Sequence, residues 1–189
     1  MKKIIIMLAL LLSSLNADLY VAAGFGTGSG TLTGELIPDN GGSVTPITAQ
    51  DFDATLVDFK VGVIFESNNR LEFSSTTIER DTSGTTVDIE GLDLDYIWTI
   101  GAKDSIVIPF ITAGLGLQEL ITGDDKITGM TLNAGLGVYF VVAKAIEIEL
   151  SYSKKSIDYS ATHVNSGDSF ESDYDDEITL SYLGVKFKF

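Results

Sequence analysis

The chain has no cysteine in its 189 residues. That excludes disulfide staples and thiolate metal sites, so a single domain of this length must close its own hydrogen-bond ladders. Bases are few: 12 Lys and Arg stand against 27 Asp and Glu, a formal charge of −15. No nucleic-acid partner is expected, because phosphates would be repelled. Histidine occurs once, at His163. Beyond residue 17 no apolar run approaches the roughly twenty residues that a spanning helix needs. A mature chain embedded in a membrane would therefore have to cross it as strands.

What is present pulls the other way from that acidity. Mean hydropathy is +0.24, 44% of residues are hydrophobic, and there are ten Phe and seven Tyr. This is too much apolar surface for a disordered acidic chain. Residues 1–17, MKKIIIMLALLLSSLNA, combine Lys2 and Lys3, an apolar core from Ile4 to Leu12 and the small Ala17, which is the pattern of a secretory signal peptide. The apolar run is too short for a spanning anchor, and no cysteine follows it to carry a lipid. Cleavage after Ala17 would leave residues 18–189 as the mature domain, two charge units more negative than the whole chain.

Residues 18–189 alternate with period two. From Ala145 to Ser153, Ile146, Ile148, Leu150 and Tyr152 share one face, and Glu147, Glu149, Ser151 and Ser153 the other. The same division runs through Thr55–Glu66, Leu92–Gly101 and Gly129–Phe140, and less sharply through Leu19–Gly28, Leu71–Glu79, Ile106–Leu117 and Glu177–Phe189. One greasy and one wet side per segment predicts eight strands. Short links, at Ser67–Asn69, Ala102–Ser105 and Ala143–Lys144, alternate with longer ones at Ser29–Asp51, Asp81–Thr86, Leu120–Lys126 and Ser160–Asp176. Short periplasmic turns alternating with long external loops thread an outer-membrane barrel. A soluble β-sandwich also alternates, but these strands are near the nine to eleven residues of a tilted membrane strand. Aromatics also gather near strand ends, at Tyr20, Phe65, Trp98, Phe110, Tyr139, Phe140, Phe187 and Phe189, and the outward ones would form an interfacial girdle. The predicted fold is all-β: an eight-stranded antiparallel up-and-down transmembrane β-barrel.

The last residues, Leu183, Val185, Phe187 and Phe189, form an alternating outward row that resembles the C-terminal insertion signal of Gram-negative outer-membrane proteins. The resemblance implies recognition by the barrel-assembly machinery. The stretches Ala23-Gly24-Phe25-Gly26, Ala113-Gly114-Leu115-Gly116-Leu117 and Ala134-Gly135-Leu136-Gly137-Val138 resemble those of the OmpA-like and OmpX-like small barrels. That resemblance covers the mature chain and implies location in the cell outer membrane after export to the periplasm, among outer-membrane lipid and lipopolysaccharide. OmpA continues into a peptidoglycan-binding domain with no counterpart here, so no cell-wall tether is expected.

With the apolar faces toward lipid, Asp58, Lys60, Glu66, Arg70, Glu72, Asp93, Asp95, Asn133, Glu147, Glu149, Lys186 and Lys188 face inward as a lumen charge network. Buried charges must be paired or hydrated. Pairing across the turn after residue 66 predicts Glu66 against Arg70, and the last two strands predict Glu147 and Glu149 near Lys186 and Lys188. Eight strands leave a lumen just wide enough for its own side chains. The inward glycines, Gly24, Gly26, Gly114, Gly116, Gly135 and Gly137, leave local space for waters or a small ligand, or simply admit larger neighbours.

Catalysis by a Ser/His/acid set would need His163, with Ser160, Ser166, Ser169, Asp168 and Glu171 near it, to be held in register by a loop. Such geometry is better provided by rigid elements, so no enzyme and no cofactor are expected. The acidic run Gly167–Glu177 could offer oxygens to Ca²⁺ or Mg²⁺, with Asp124 and Asp125 beside it, and bridge to lipopolysaccharide phosphates. It lacks the spacing of a helix-loop-helix calcium loop and reads foremost as a solvated loop. The expected function is a non-enzymatic barrel for envelope integrity or surface interaction through its external loops. The alternative is a narrow porin-like channel with weak cation preference, and a lipid-modifying enzyme is a distant third.

Overall fold

The computed structural model describes residues 18–189 apart from 39–42, 83–84, 103–104, 123–124 and 166–167. The expected signal peptide, residues 1–17, lies outside them. Eight strands follow one another: β1 (Asp18–Pro38), β2 (Thr45–Ile64), β3 (Arg70–Thr82), β4 (Thr85–Thr99), β5 (Val107–Thr122), β6 (Asp125–Ala143), β7 (Ile146–Asn165) and β8 (Asp168–Lys188). Each pairs antiparallel with the next. β8 returns to β1 in a register from Tyr20↔Lys188 to Pro38↔Phe170, closing the barrel. Closure is what permits strands to cross lipid, since it leaves no backbone donor or acceptor unpaired in hydrocarbon.

The parity of each strand decides which side chains meet lipid. Phe25, Phe59, Leu94, Leu115, Leu132, Leu136, Tyr152 and Leu183 point outward and are 44–68% exposed. A contiguous apolar band of this kind, wrapped around a closed barrel with charges inside, is a membrane surface. Of the aromatic residues near strand ends, Trp98, Phe187 and Phe189 face outward, whereas Tyr20, Phe110 and Tyr139 are buried in the lumen. Phe65 sits in the turn after β2, whose sharp reversal is made by Asn68 at φ 67°; asparagine tolerates this left-handed conformation. Leu183, Val185, Phe187 and Phe189 form an exposed outward row, with the Phe189 N–H donating to the Leu19 carbonyl at 2.9 Å.

Inward glycines act as seats for large neighbours. A β-carbon on Gly24 would lie 2.0 Å from the Tyr182 hydroxyl, and one on Gly62 would lie 2.3 Å from the Tyr20 ring. Bare backbone therefore lets an aromatic ring lean across the adjacent strand, so the glycines fill the lumen rather than hollow it.

All four expected loops are in large part strand, Asp81–Thr86 and Leu120–Lys126 included. Most of Ser29–Asp51 belongs to β1 and β2, and most of Ser160–Asp176 belongs to β7 and β8. Above the lipid both faces of a ladder are wet, so the apolar alternation that marks a strand disappears although the hydrogen-bonded pairing continues. The consequence is architectural. The β3–β4 and β5–β6 ladders are paired as far as Thr82↔Thr85 and Thr122↔Asp125, but β7, β8, β1 and β2, which are neighbours, continue upward as a four-stranded wall. β2 pairs with β3 only as far as Asp53↔Asp81, whereas its pairing with β1 continues to Leu36↔Thr45. Among the described residues, Thr45–Phe52 is thus bonded on one side only.

Candidate functional site

The lumen is stratified, and strand parity supplies each layer. At the periplasmic floor Arg70 of β3 is fully buried. Its guanidinium donates to both carboxylate oxygens of Glu147 on β7, at 2.6 and 3.2 Å, and lies 3.9 Å from the centre of the Tyr139 ring. Lys188 adds a contact to Glu147 at 2.9 Å. Above this, Lys186 and Lys60 share the same carboxylates. Lys186 bonds Glu72 and lies 3.1 Å from Glu149; Lys60 lies 3.1 Å from Glu72, 3.7 Å from Glu149 and 3.4 Å from Asp58. The Tyr20 hydroxyl donates to Glu72 at 2.8 Å and that of Tyr182 to Asp58 at 2.7 Å. On the far wall Asp93 accepts from Lys155 at 2.6 Å and from Gln118 at 3.0 Å.

Between these groups lies a small polar cavity of about 70 Å³, lined among others by Asp58, Asp95, Asn133, Glu149 and Lys155. At about 10–15 Å³ of such volume per molecule, it has room for a handful of waters. Over it sits an apolar plug of Phe52, Leu56, Ile78, Ile89, Leu120, Ile157, Tyr159, Ile178 and Leu180, all buried. Arg80 reaches across the plug to both carboxylate oxygens of Asp176, at 3.1 and 3.0 Å.

Asp58, Lys60, Arg70, Glu72, Asp93, Asp95, Glu147, Glu149, Lys186 and Lys188 all face this interior, and the Glu147/Glu149 and Lys186/Lys188 groups meet there. Glu66 does not. The register sets Ile64 opposite Arg70, so residues 65–69 form the turn and Glu66 is exposed on it. Arg70 instead crosses the lumen to Glu147, far away in sequence, because its side chain points to the barrel axis and not along the hairpin. Lys155, Arg80 and Asp176 were not expected as lumen residues. Extending the parity of Ser151 and Ser153 by one step reaches Lys155, and extending that of Arg70 and Glu72 reaches Arg80. Asp176 carried no such signal, since it falls in a stretch that reads as a loop.

The acidic run is also corrected. From Asp168 onward it is strand β8, so its side chains alternate: Asp173, Asp175 and Glu177 point outward and Asp176 points inward to Arg80. Alternate faces cannot wrap one cation as a loop would. Among the described residues, no group of three or more His, Asp or Glu side chains is arranged to hold a metal ion. Gly167 and Asp124 lie outside the described residues. His163 is in β7 opposite Phe170, with a side chain that also lies outside them.

Outside, above the lipid band, carboxylates stand directly opposite one another across strands: Asp53↔Asp81, Glu79↔Asp88, Glu90↔Glu119 and Asp158↔Asp175. Opposed like charges are destabilising, and salt screens exposed ones. Partial burial first, and then Asp158, Asp173 and Glu177, push the Asp175 carboxyl above its ordinary value. The folded state therefore binds this proton more tightly than the unfolded chain does. Stability rises as pH falls through the folded value and levels off below about 4, where the unfolded carboxyl is also protonated. Raising NaCl from low to high concentration should increase the urea midpoint of the folded barrel, and Asp175→Asn should reduce the additional gain on acidification. A midpoint that falls with salt would contradict this account.

A closed eight-stranded antiparallel barrel with an apolar outer band and a charged, plugged interior is the architecture of the small bacterial outer-membrane barrels. Solved structures share this fold. The outer membrane protein OprG from Pseudomonas aeruginosa superposes with a TM-score of 0.61 at 14% identity, over 92% of this chain and 96% of that one. AlkL, determined in lipid bilayers, gives 0.53 at 15% identity over 92% and 90%. Neisserial surface protein A gives 0.51 at 16% identity over 90% and 97%. No protein-family model matches the chain, and no curated protein sequence matches it.

Proposed function

We propose that the chain is a non-conducting, non-enzymatic outer-membrane barrel whose task is surface interaction, carried by the four-stranded wall above the membrane. The observation that supports this reading is the filled lumen: a salt-bridged floor, a cavity of only about 70 Å³ and an apolar plug lie in series along the axis. Solvated ions crossing an apolar constriction must shed water without compensation. Most of the polar surface that the chain offers a partner is thus on the strands that rise past the membrane. In the same reading, residues 1–17 direct export, and the row ending at Phe189 is presented to the assembly machinery during insertion.

Planar-bilayer recording tests the point. The purified, refolded protein should insert without steady conductance steps in 1 M KCl. Reproducible steps with a cation preference would overturn the reading in favour of the narrow channel.

A further inference from the structure

One row of inward residues crosses the barrel wall at mid-membrane. The register sets Asp95 of β4 opposite Gly114 of β5, Gly114 opposite Asn133 of β6, and Asn133 opposite Lys155 of β7. The outward neighbours Leu94, Leu115 and Leu132 place the row inside the apolar band. Gly114 has no side chain to fill its middle, and Asp95 and Asn133 lean over the bare backbone from either side. A β-carbon on Gly114 would lie 2.2 Å from Asp95 Oδ1 and 2.7 Å from Asn133 Oδ1. Both atoms are acceptors, and two acceptors that converge away from water need a donor or a cation between them.

The neighbouring side chains supply neither. Among the described residues Asp95 makes no hydrogen bond and no ion pair, and Asn133 Oδ1 is buried without a hydrogen-bond partner. The bases from the floor to the plug are committed elsewhere. Arg70 and Lys188 hold Glu147, Lys60 and Lys186 hold Glu72 and Glu149, with Asp58 also beside Lys60, and Lys155 holds Asp93. Five bases thus face six acids, and Asp95 is the acid without a base. An uncompensated carboxylate enclosed by a barrel in hydrocarbon is costly.

One unit of positive charge is what the lumen lacks, and the polar cavity of about 70 Å³ is lined by both Asp95 and Asn133. Thr112 and Ser151 line it too. The Thr112 hydroxyl donates to the Tyr96 carbonyl at 3.3 Å and that of Ser151 to Glu149 at 3.1 Å, so each keeps lone pairs for a cation or for its water. A divalent ion would exceed the missing charge, and such ions draw on several carboxylates, of which Asp95 alone is uncommitted here.

We infer that Asp95 and Asn133 hold a monovalent metal cation, of the class of sodium, in the lumen cavity, with water completing its oxygen shell. Enclosed between floor and plug, the ion is a fixed counter-charge that completes the lumen network, and it is independent of what the wall above the membrane binds.

The test unfolds the mature barrel reversibly with urea in vesicles of zwitterionic phosphatidylcholine, exchanging choline chloride for NaCl at constant ionic strength. Choline, with its bulky quaternary head, has no oxygen site of this size to enter. Raising sodium from about 5 to about 500 mM should lower the wild-type unfolding constant at least about 10-fold, as linkage requires for an ion that binds the folded state alone with a dissociation constant of about 50 mM or tighter. Asp95→Asn removes the charge and keeps the shape, and its unfolding constant should change less than about 2-fold over the same range. Asn133→Val keeps the charge but deletes the second oxygen; it should flatten the sodium response, and it decides the matter if Asp95→Asn does not fold. A wild-type constant that ignores sodium overturns the inference, since a proton on Asp95 or an Asn133 amide turned to donate to it would then close the row. A full sodium response in the variant overturns it as well, by assigning the effect to the external acids.

Discussion

Arg70→Met lowers the unfolding free energy of the barrel by about 3–5 kcal/mol, the range for breaking a buried ion pair from one side. Arg70 is fully buried, holds both oxygens of Glu147 and stacks on Tyr139. Methionine keeps most of the volume but leaves Glu147, 1% exposed, with Lys188 as its remaining ion-pair partner. The cost is that of a carboxylate stranded away from water, so removing the carboxylate as well should reverse most of it. The double variant Arg70→Met/Glu147→Leu is expected to recover the larger part, since apolar replacement of a whole buried pair is often neutral. Urea unfolding in lipid vesicles reads both, with Trp98, the single tryptophan and outward in the lipid band, as the fluorophore. A single variant within about 1 kcal/mol of wild type would show that the floor is hydrated rather than sealed.

Gly28→Ala is expected to prevent closure of the barrel, or to cost about 3 kcal/mol or more where it folds. Gly28 lies on β1 opposite Leu180 of β8, the seam that joins the first and last strands. A β-carbon there would sit 1.7 Å from the Thr179 carbonyl oxygen and 2.8 Å from its carbon. These are backbone atoms within the ladder, so relief requires the two strands to part. Gly24→Ala is the informative contrast, because its obstruction is the end of the Tyr182 ring, which can swing away at the cost of its hydrogen bond to Asp58. That loss is about 1–3 kcal/mol. Gel mobility before and after boiling distinguishes them: Gly24→Ala should keep a heat-modifiable band, while Gly28→Ala should lose or greatly weaken it. A Gly28→Ala protein with full wild-type heat modifiability would refute the steric account.

Much of the barrel was legible because period-two alternation is a local property. Ile146, Ile148, Leu150 and Tyr152 against Glu147, Glu149, Ser151 and Ser153 state the strand and both of its faces without reference to any other segment. The short links at residues 67–69 and 143–144 likewise located the periplasmic turns. Legibility ended where the environment stopped differing between faces. Residues 29–38 and 168–176 are rich in Ser, Thr, Gly and acids, and these are as compatible with a solvated ladder as with a loop. The ladder forms there because the neighbouring strand below is already in register, a cause that lies outside the segment.

The amino-acid sequence by itself determined the number of strands and their lipid and lumen faces within the apolar band, since hydrocarbon outside and a narrow interior force each side chain to one of two sides. Only the tertiary structure decided who meets whom across the lumen. Arg70 and Glu147, Lys186 and Glu72, and Tyr182 and Asp58 are separated by 77, 114 and 124 residues. Their meeting depends on the stagger accumulated around a closed ring of eight tilted strands, which no single strand encodes. The plugged lumen and the one-sided wall with its open β2 edge follow from that same global register. Function is therefore read from the closed barrel and not from its segments.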